Sequence, residues 1–281
     1  MPTGEKLVLL ACQIDIPAIT TAVERDAHLE RSAQSVREQL RQRAADIVVL
    51  PELSSIDYSR AAFDRLSEIA ETLDGASFQC WSALAKEFGV YVSYSFARQA
   101  EQGVHIAVAV AGRDGRLIGF YDKLHLAHYG ASMEKDYFIR GDHMLTFKVK
   151  GFTLAPIICY DIRIPELSRA LVVDHGVDVI LHCGAYYRDA SYHTWHAFAT
   201  ARALENQVFF LSLNRAGENY GNSLFCAPWL DDKVRPIYFQ ENREEFKFIE
   251  ISRDVLEVAR EEYSFLKDRL SSYKIPVQSA L

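Results

Sequence analysis

Three apolar runs in this chain end on a residue able to do chemistry: DIVVL leads into Pro51 and Glu52, LIGFYD into Lys123, and LAPII into Cys159. In open α/β sheets such positions matter, because a rigid strand stops there and aims the next side chain into a crevice. A carboxylate, an ammonium and a thiol would meet if these strands were neighbours. The trio suits cleavage of an unactivated carbon–nitrogen bond. A thiol ionising near pH 8.5 needs a base to become a nucleophile, and Glu52 can take its proton and later hand it to departing ammonia. The tetrahedral intermediate carries an oxyanion, which the Lys123 ammonium and the backbone N–H of Tyr160 can stabilise where water is excluded. Adjacent carboxylates would keep a buried lysine charged, so a second one would help.

Taken singly, each residue has a plainer reading. A cysteine closing an apolar run is usually inert packing, which is how Cys12, Cys80, Cys183 and Cys226 read as well. Glu52 alone reads as a solvated loop charge or helix-start residue, and Lys123 alone as a surface cation. Only the set argues for chemistry.

The elements that must position them follow from the pattern. Runs such as LVLLACQI, VYVSYSF, IAVAVAG, VDVILHC, QVFFLSLN, SLFCAPW and FKFIEIS read as strands, several apolar throughout as when both faces are covered. Leu29, Ala33, Val36 and Leu40 share one face of a helix over 22–45, and further helices are expected over 60–72, 76–88, 165–175 and 191–206. Pro165 suits a first helical turn, where its missing N–H costs nothing. Arg113-Asp114-Gly115 reads as a hairpin turn, so the sheet is expected to be mixed. No repeat or Pro/Gly-rich linker divides the chain, and residues 1–281 are expected to form a single domain.

Composition narrows the partners. A net charge of −7 argues against a nucleic-acid backbone or an anionic membrane surface, and in favour of small molecules. The opening MPTGEKLVLLACQID is interrupted by Gln13 and Asp15, so it reads as a first strand rather than a signal peptide, and no run approaches the roughly 20 apolar residues of a membrane span. A cytoplasmic protein is expected. Five scattered cysteines without a CxxC pair fit reduced thiols rather than a disulfide framework or a zinc site. His125 and His128 lie near Lys123 without a converging ligand set, so no metal is expected.

LPEL at 50–53, YDKLHL at 121–126 and CYDIRIPEL at 159–167, in that order, resemble the signatures of the nitrilase, or carbon–nitrogen hydrolase, superfamily. ARALEN at 201–206, NSLFCAPW and a final KDRLSSY extend the resemblance over most of the chain. It implies an α/β fold built as a four-layer αββα sandwich with mixed sheets, association into a homodimer or higher homo-oligomer, and hydrolysis through a covalent cysteine intermediate without a cofactor. It also implies Glu52 as general base, Lys123 as oxyanion-stabilising lysine and Cys159 as nucleophile. The family's second glutamate falls on Glu134, which precedes Gly141-Asp142 as that glutamate precedes its own Gly-rich turn. The tail over 264–281 is expected at an oligomer interface.

Departures from the pattern bear on the substrate. Nitrilases proper usually place Trp-Glu after the nucleophile, whereas Tyr160-Asp161 here is more similar to the amidase and carbamoyl-hydrolase branches. HCGAYYRDA, with His182, Tyr186 and Tyr187, replaces a small proline-containing segment and implies a bulkier, more polar pocket wall. Tyr58, Tyr129 and Trp195 are further candidates for the pocket, although aromatics are equally common in cores. Arg163 has two readings, pairing with a substrate carboxylate or bridging Asp161 or Glu166, with the structural one favoured. Arg202 and Glu205 read as an ion pair positioning a helix near the site.

The leading expectation is an amidase acting on a small linear carboxamide, releasing ammonia through a thioester. An N-carbamoyl amine or amino acid hydrolase is the alternative. A nitrilase, a non-catalytic binding member and a papain-like Cys/His protease using His182 rank below, the last because it leaves Glu52 and Lys123 without a role.

Overall fold

The computed structural model describes residues 5–130 and 132–278; the first four residues of the MPTGEK opening, residue 131 and the last three of the 264–281 tail lie outside it. One sheet is built from β1 (Lys6–Gln13), β2 (Ile47–Val49), β3 (Tyr91–Ala100), β4 (Gly103–Ala111) and β5 (Leu117–Asp122). β1, β2 and β3 are parallel, and β4 and β5 return antiparallel through hairpins. A second sheet contains β6 (Phe147–Val149), β7 (Phe152–Ile158), β8 (Val179–Gly184), β9 (Phe209–Asn214), β10 (Leu224–Cys226) and β11 (Ile237–Tyr238). Its centre, β7 to β9, is parallel and its edges antiparallel. β12 (Glu245–Ser252) crosses back to pair with β1.

The helices are α1 (Ala22–Gln42), the single turns α2 (Arg60–Phe63) and α3 (Leu66–Ile69), α4 (Ala76–Phe88), the single turn α5 (Glu134–Tyr137), α6 (Pro165–Val173), α7 (Tyr192–Asn206), α8 (Arg253–Glu262) and the single turn α9 (Phe265–Asp268). Leu29, Ala33, Val36 and Leu40 of α1 bury with Trp81 and Leu84 of α4 on the first sheet. The alternate residues of β1, Leu7, Leu9 and Ala11, face the other way onto Leu154, Val179 and Leu181 of the second sheet. The outer side of that sheet packs under Leu171 of α6 and Trp195 and Ala199 of α7. The layers therefore run helix, sheet, sheet, helix. Strands such as β1, β2 and β7 are covered on both faces, which is why their sequences lack a polar alternation.

Local chemistry sets the helix limits. Thr21 caps α1 reciprocally with Glu24, an arrangement worth about 1 kcal/mol to helix stability. α1 stops at Gln42 rather than continuing to 45, because the Asp46 N–H must reach the Val8 carbonyl and begin pairing. The expected helix over 60–72 breaks into α2 and α3 and ends early, since the Glu71 N–H joins the Ala97 carbonyl beside β3. The SLFCAPW run pairs only over Leu224–Cys226; Pro228 has no N–H for a ladder. Among the described residues no helix is long and apolar enough to cross a membrane.

The strands ending in Glu52, Lys123 and Cys159 are not sheet neighbours. β2 and β5 lie in the first sheet with β3 and β4 between them, and β7 lies in the second. Their ends meet across the crevice between the facing sheets. Lys123 is held at this point by its N–H on the Ile106 carbonyl (2.8 Å) and its carbonyl on the Gly141 N–H (2.9 Å). A side chain on Gly141 would drive into the Asp122 carbonyl and sit 2.7 Å from Asp122 Cβ, displacing the strand end that carries Lys123. Gly141→Ala is expected to lower stability by about 1–3 kcal/mol, the usual range for overpacking. Thermal denaturation checks this; an unchanged Tm would contradict the tight approach.

Candidate active site

Glu52 follows β2 on a loop clamped to β3: Leu50 N–H donates to the Ser93 carbonyl (2.9 Å), Leu53 N–H to Ser95 Oγ (3.0 Å) and Ser54 N–H to the Ser95 carbonyl (2.8 Å). Leu53 takes a left-handed φ of 47°, which costs a residue with a side chain about 1–2 kcal/mol. The clamp holds that strain and turns Glu52 inward, where it is fully buried.

Lys123 Nζ donates to Glu52 Oε1 (2.8 Å) and to Glu134 Oε1 (2.7 Å), all three side chains being inaccessible to solvent. Glu134 opens α5 and engages both oxygens: Oε1 also accepts from Tyr58 OH (2.8 Å) and Oε2 from the Ala127 N–H (2.8 Å). Glu52 Oε2 has no hydrogen-bond partner. Burial pulls the lysine down, but Glu134 and Glu52 outweigh it and hold Lys123 well above its ordinary value, so it is a full ammonium. Burial also raises Glu52, against the pull of Lys123, from the ordinary 4.5 to about 7. A carboxyl in that range can take and return a proton near neutrality.

Cys159 leaves β7 with φ 45°, a sharp turn for a residue with a side chain. Asp161, fully buried, braces it by accepting from Ile158 N–H (2.9 Å), Tyr121 OH (2.7 Å), His125 N–H (3.0 Å) and His125 Nδ1 (2.8 Å). One carboxylate thus ties the turn after β7 to the loop after β5. The sequence motif CYD contains this brace, but the order of residues alone does not show whom Asp161 bonds. Burial and then the Glu52 charge push the Cys159 thiol far up, so it is protonated at rest and needs a base.

A cavity of about 350 Å³ opens above Cys159 and Glu134. Tyr58, Tyr129, Tyr186 and Tyr187 line it, as the sequence anticipated; Tyr220, Arg60 and Asp189 line it without having been singled out. Tyr220 lies in a loop shaped by Gly217 and Gly221 at positive φ, a placement with no sequence signature. Three candidates lie off the cavity wall. Trp195 is buried behind Tyr186, ring stacked on ring at 4.5 Å, and His182 is buried beneath the Cys159 turn. Arg163 donates to Thr194 Oγ1 (3.0 Å) and packs on Tyr129 and Phe198, so it bridges neither Asp161 nor Glu166. Arg202 does pair with Glu205 (2.6 Å) and donates to the Ile162 carbonyl, tying α7 to the turn after Cys159.

The raised Glu52 has a consequence for stability. Between pH 4.5 and about 7 the folded state binds a proton that the unfolded chain has released, so stability falls as pH rises through this window. Glu52→Gln keeps an acceptor for Lys123 without the buried charge. Its stability should match the parent's near pH 4 and exceed it at pH 8, by about 3 kcal/mol at most, with a correspondingly higher Tm. Equal melting curves at both pH values would contradict the shift.

Comparison with known proteins agrees with the architecture and the motifs. The family model for carbon-nitrogen hydrolases matches residues 10–260. The 2-oxoglutaramate amidase of Bacillus subtilis is 33% identical over 192 residues, 66% of this chain and 71% of the relative. An (R)-stereoselective amidase of a Pseudomonas species is 30% identical, covering 80% of this chain and 79% of its own. In fold, the chain is similar to the crystal structure of a nitrilase-superfamily member from Saccharomyces cerevisiae, with a TM-score of 0.81, 23% identity and 97% of each chain covered. The relatives named for amide hydrolysis do not favour the carbamoyl alternative. The chain belongs to the carbon-nitrogen hydrolase family.

Proposed function

We propose that this site hydrolyses a small linear carboxamide through a thioester on Cys159. The observation that carries the reading is the fully buried Lys123 ammonium, held between Glu52 and Glu134 at 2.8 and 2.7 Å at the foot of the cavity that exposes Cys159. Such a cation, fixed before substrate arrives, stabilises an oxyanion without reorganisation.

The steps follow from the groups present. Glu52 takes the thiol proton as sulfur attacks the amide carbon, and the carbonyl electron pair moves to oxygen, facing Lys123 Nζ and the Tyr160 N–H. The oxyanion re-forms the carbonyl, the C–N bond breaks, and Glu52 returns its proton to the leaving nitrogen, which departs as ammonia. A water then gives a proton to Glu52 and attacks the thioester; the second tetrahedral intermediate re-forms the carbonyl as the C–S bond breaks, and Glu52 returns its proton to the departing sulfur, leaving a carboxylic acid and the free thiol. Glu134, held by three donors, fixes Lys123 and keeps it charged.

The cavity volume is at the small end of ligand sites, which suits a substrate of a few to about ten heavy atoms. The five cysteines are free thiols, which fits a reducing compartment such as the cytoplasm. Beyond α8 the described tail exposes Phe265, Leu270, Tyr273 and Ile275, apolar surface suited to a contact between copies in a homo-oligomer.

A panel of propionamide, butyramide, succinamate, 2-oxoglutaramate and N-carbamoyl-β-alanine tests the reading. At least one linear amide should release ammonia without carbon dioxide, and Cys159→Ala should lose at least about 10³-fold in turnover while keeping its Tm. Unchanged turnover in Cys159→Ala would overturn the mechanism, and carbon dioxide release on the carbamoyl compound alone would overturn the substrate class.

A further inference from the structure

The peptide unit between Cys159 and Tyr160 has two ends. Its N–H belongs to Tyr160, the backbone donor of the proposed oxyanion site. Its oxygen, the Cys159 carbonyl, receives two hydrogen bonds, from Tyr186 OH (2.9 Å) and from His182 Nε2 (3.1 Å).

A carbonyl only accepts, so His182 carries its proton on Nε2. Burial holds the ring neutral, with its pKa lowered to about 3, which leaves Nδ1 as an acceptor. Ser212 Oγ, 2.7 Å from Nδ1, therefore donates to it. Trp195 Nε1 is a donor only, and it fills the acceptor side of Ser212 Oγ at 2.7 Å. The chain of donors runs from Trp195 to Ser212 to His182 to the Cys159 carbonyl.

His182 and Ser212 are fully buried, Trp195 likewise, none of the three lines the cavity, and their polar atoms are all engaged with one another or with the Cys159 carbonyl, which leaves them no bond for a substrate. They act on the peptide. Two donors on the carbonyl pull electron density toward oxygen and make the N–H at the other end of the same unit a stronger donor; successive bonds polarise one another in the same sense. They also pin a peptide plane next to a residue at φ 45°, where a flip would turn the Tyr160 N–H away.

We infer that Trp195, Ser212 and His182, together with Tyr186, are positioning residues for the oxyanion site, orienting and polarising the Cys159–Tyr160 peptide from behind. The inference rests on the reading of Cys159 as nucleophile and Tyr160 N–H as oxyanion donor. It assigns His182 of HCGAYY a role behind the nucleophile, while Ala185 and Tyr187 stay in the pocket wall and Tyr186 serves both.

The test uses the full chain with His182→Phe, which loses the donor, His182→Gln, which can place an amide N–H near the former Nε2, and Ser212→Ala, which frees the ring tautomer. Propionamide, or the faster amide of the panel, measures turnover; propionaldehyde, or the matching aldehyde, measures affinity for an adduct bearing the oxyanion; iodoacetamide measures thiol alkylation, which builds no oxyanion. His182→Phe should lose about 10- to 100-fold in kcat, below the loss from deleting a direct oxyanion donor, with KM changed less than about threefold. Aldehyde affinity should fall in step with kcat, alkylation should stay within about threefold, His182→Gln should recover most of the loss, and Ser212→Ala should fall in the same direction. Parent-like kcat in folded His182→Phe or, should that variant not fold, in Ser212→Ala would overturn the inference, as would alkylation falling in parallel with kcat. An active Cys159→Ala protein would remove the underlying reading itself, whereas an inactive Cys159→Ala beside a fully active His182→Phe would remove only the positioning role.

Discussion

A lysine ammonium with no solvent contact, held by two carboxylates equally cut off from water, is the constraint around which this molecule is arranged. Each ion loses several kcal/mol of hydration on burial, and the attraction between them recovers this only where the geometry is good and the remaining lone pairs are satisfied. Glu134 meets that condition with three donors, and Glu52 does not, keeping one oxygen free. Glu134, with both oxygens engaged, holds the charge in place, and Glu52, with one oxygen free, has room for a proton.

Such a cluster has to be held by the scaffold. The two facing sheets supply it, because their strand ends stop on opposite sides of one crevice and their interiors are packed too tightly to drift. Strain is placed where the chain must turn abruptly, at Leu53 beside Glu52 and at Cys159. Hydrogen bonds from β3 secure the first, and Asp161 with the donors behind the Cys159 carbonyl secures the second. Cys159 and Glu52 are thus each delivered by a locally unfavourable backbone that its surroundings over-determine.

The architecture was legible where burial is two-sided. Runs such as LVLLACQ and TLAPII have no polar face because helices cover one side and the other sheet covers the second, and the resemblance carried by LPEL, YDKLHL and CYDIRIPEL led to the four-layer order that is found. Helix limits were less legible, since Asp46 and Glu71 leave helical geometry for pairing with distant strands. The meeting of Glu52, Lys123 and Cys159 was anticipated on the premise of neighbouring strands, yet it occurs between sheets, which no spacing along the chain records. Glu134 was reached only through the family. Trp195 and His182 illustrate the remaining difficulty: aromatic and imidazole side chains near a nucleophile look alike in sequence whether they face the cavity or stand behind the turn. Only the partners of Ser212 and of the Cys159 carbonyl distinguish the two.

The central claim is that the buried charge cluster serves covalent chemistry at one thiol. Intact-protein and peptide mass spectrometry of the chain, acid-quenched during turnover of the best amide of the panel, tests it most directly. The account predicts a mass increase equal to the substrate's acyl group, located on the peptide carrying Cys159, absent in Cys159→Ala and discharged by hydroxylamine. Sustained turnover with no adduct on Cys159, or an acyl group found on another residue, would contradict it.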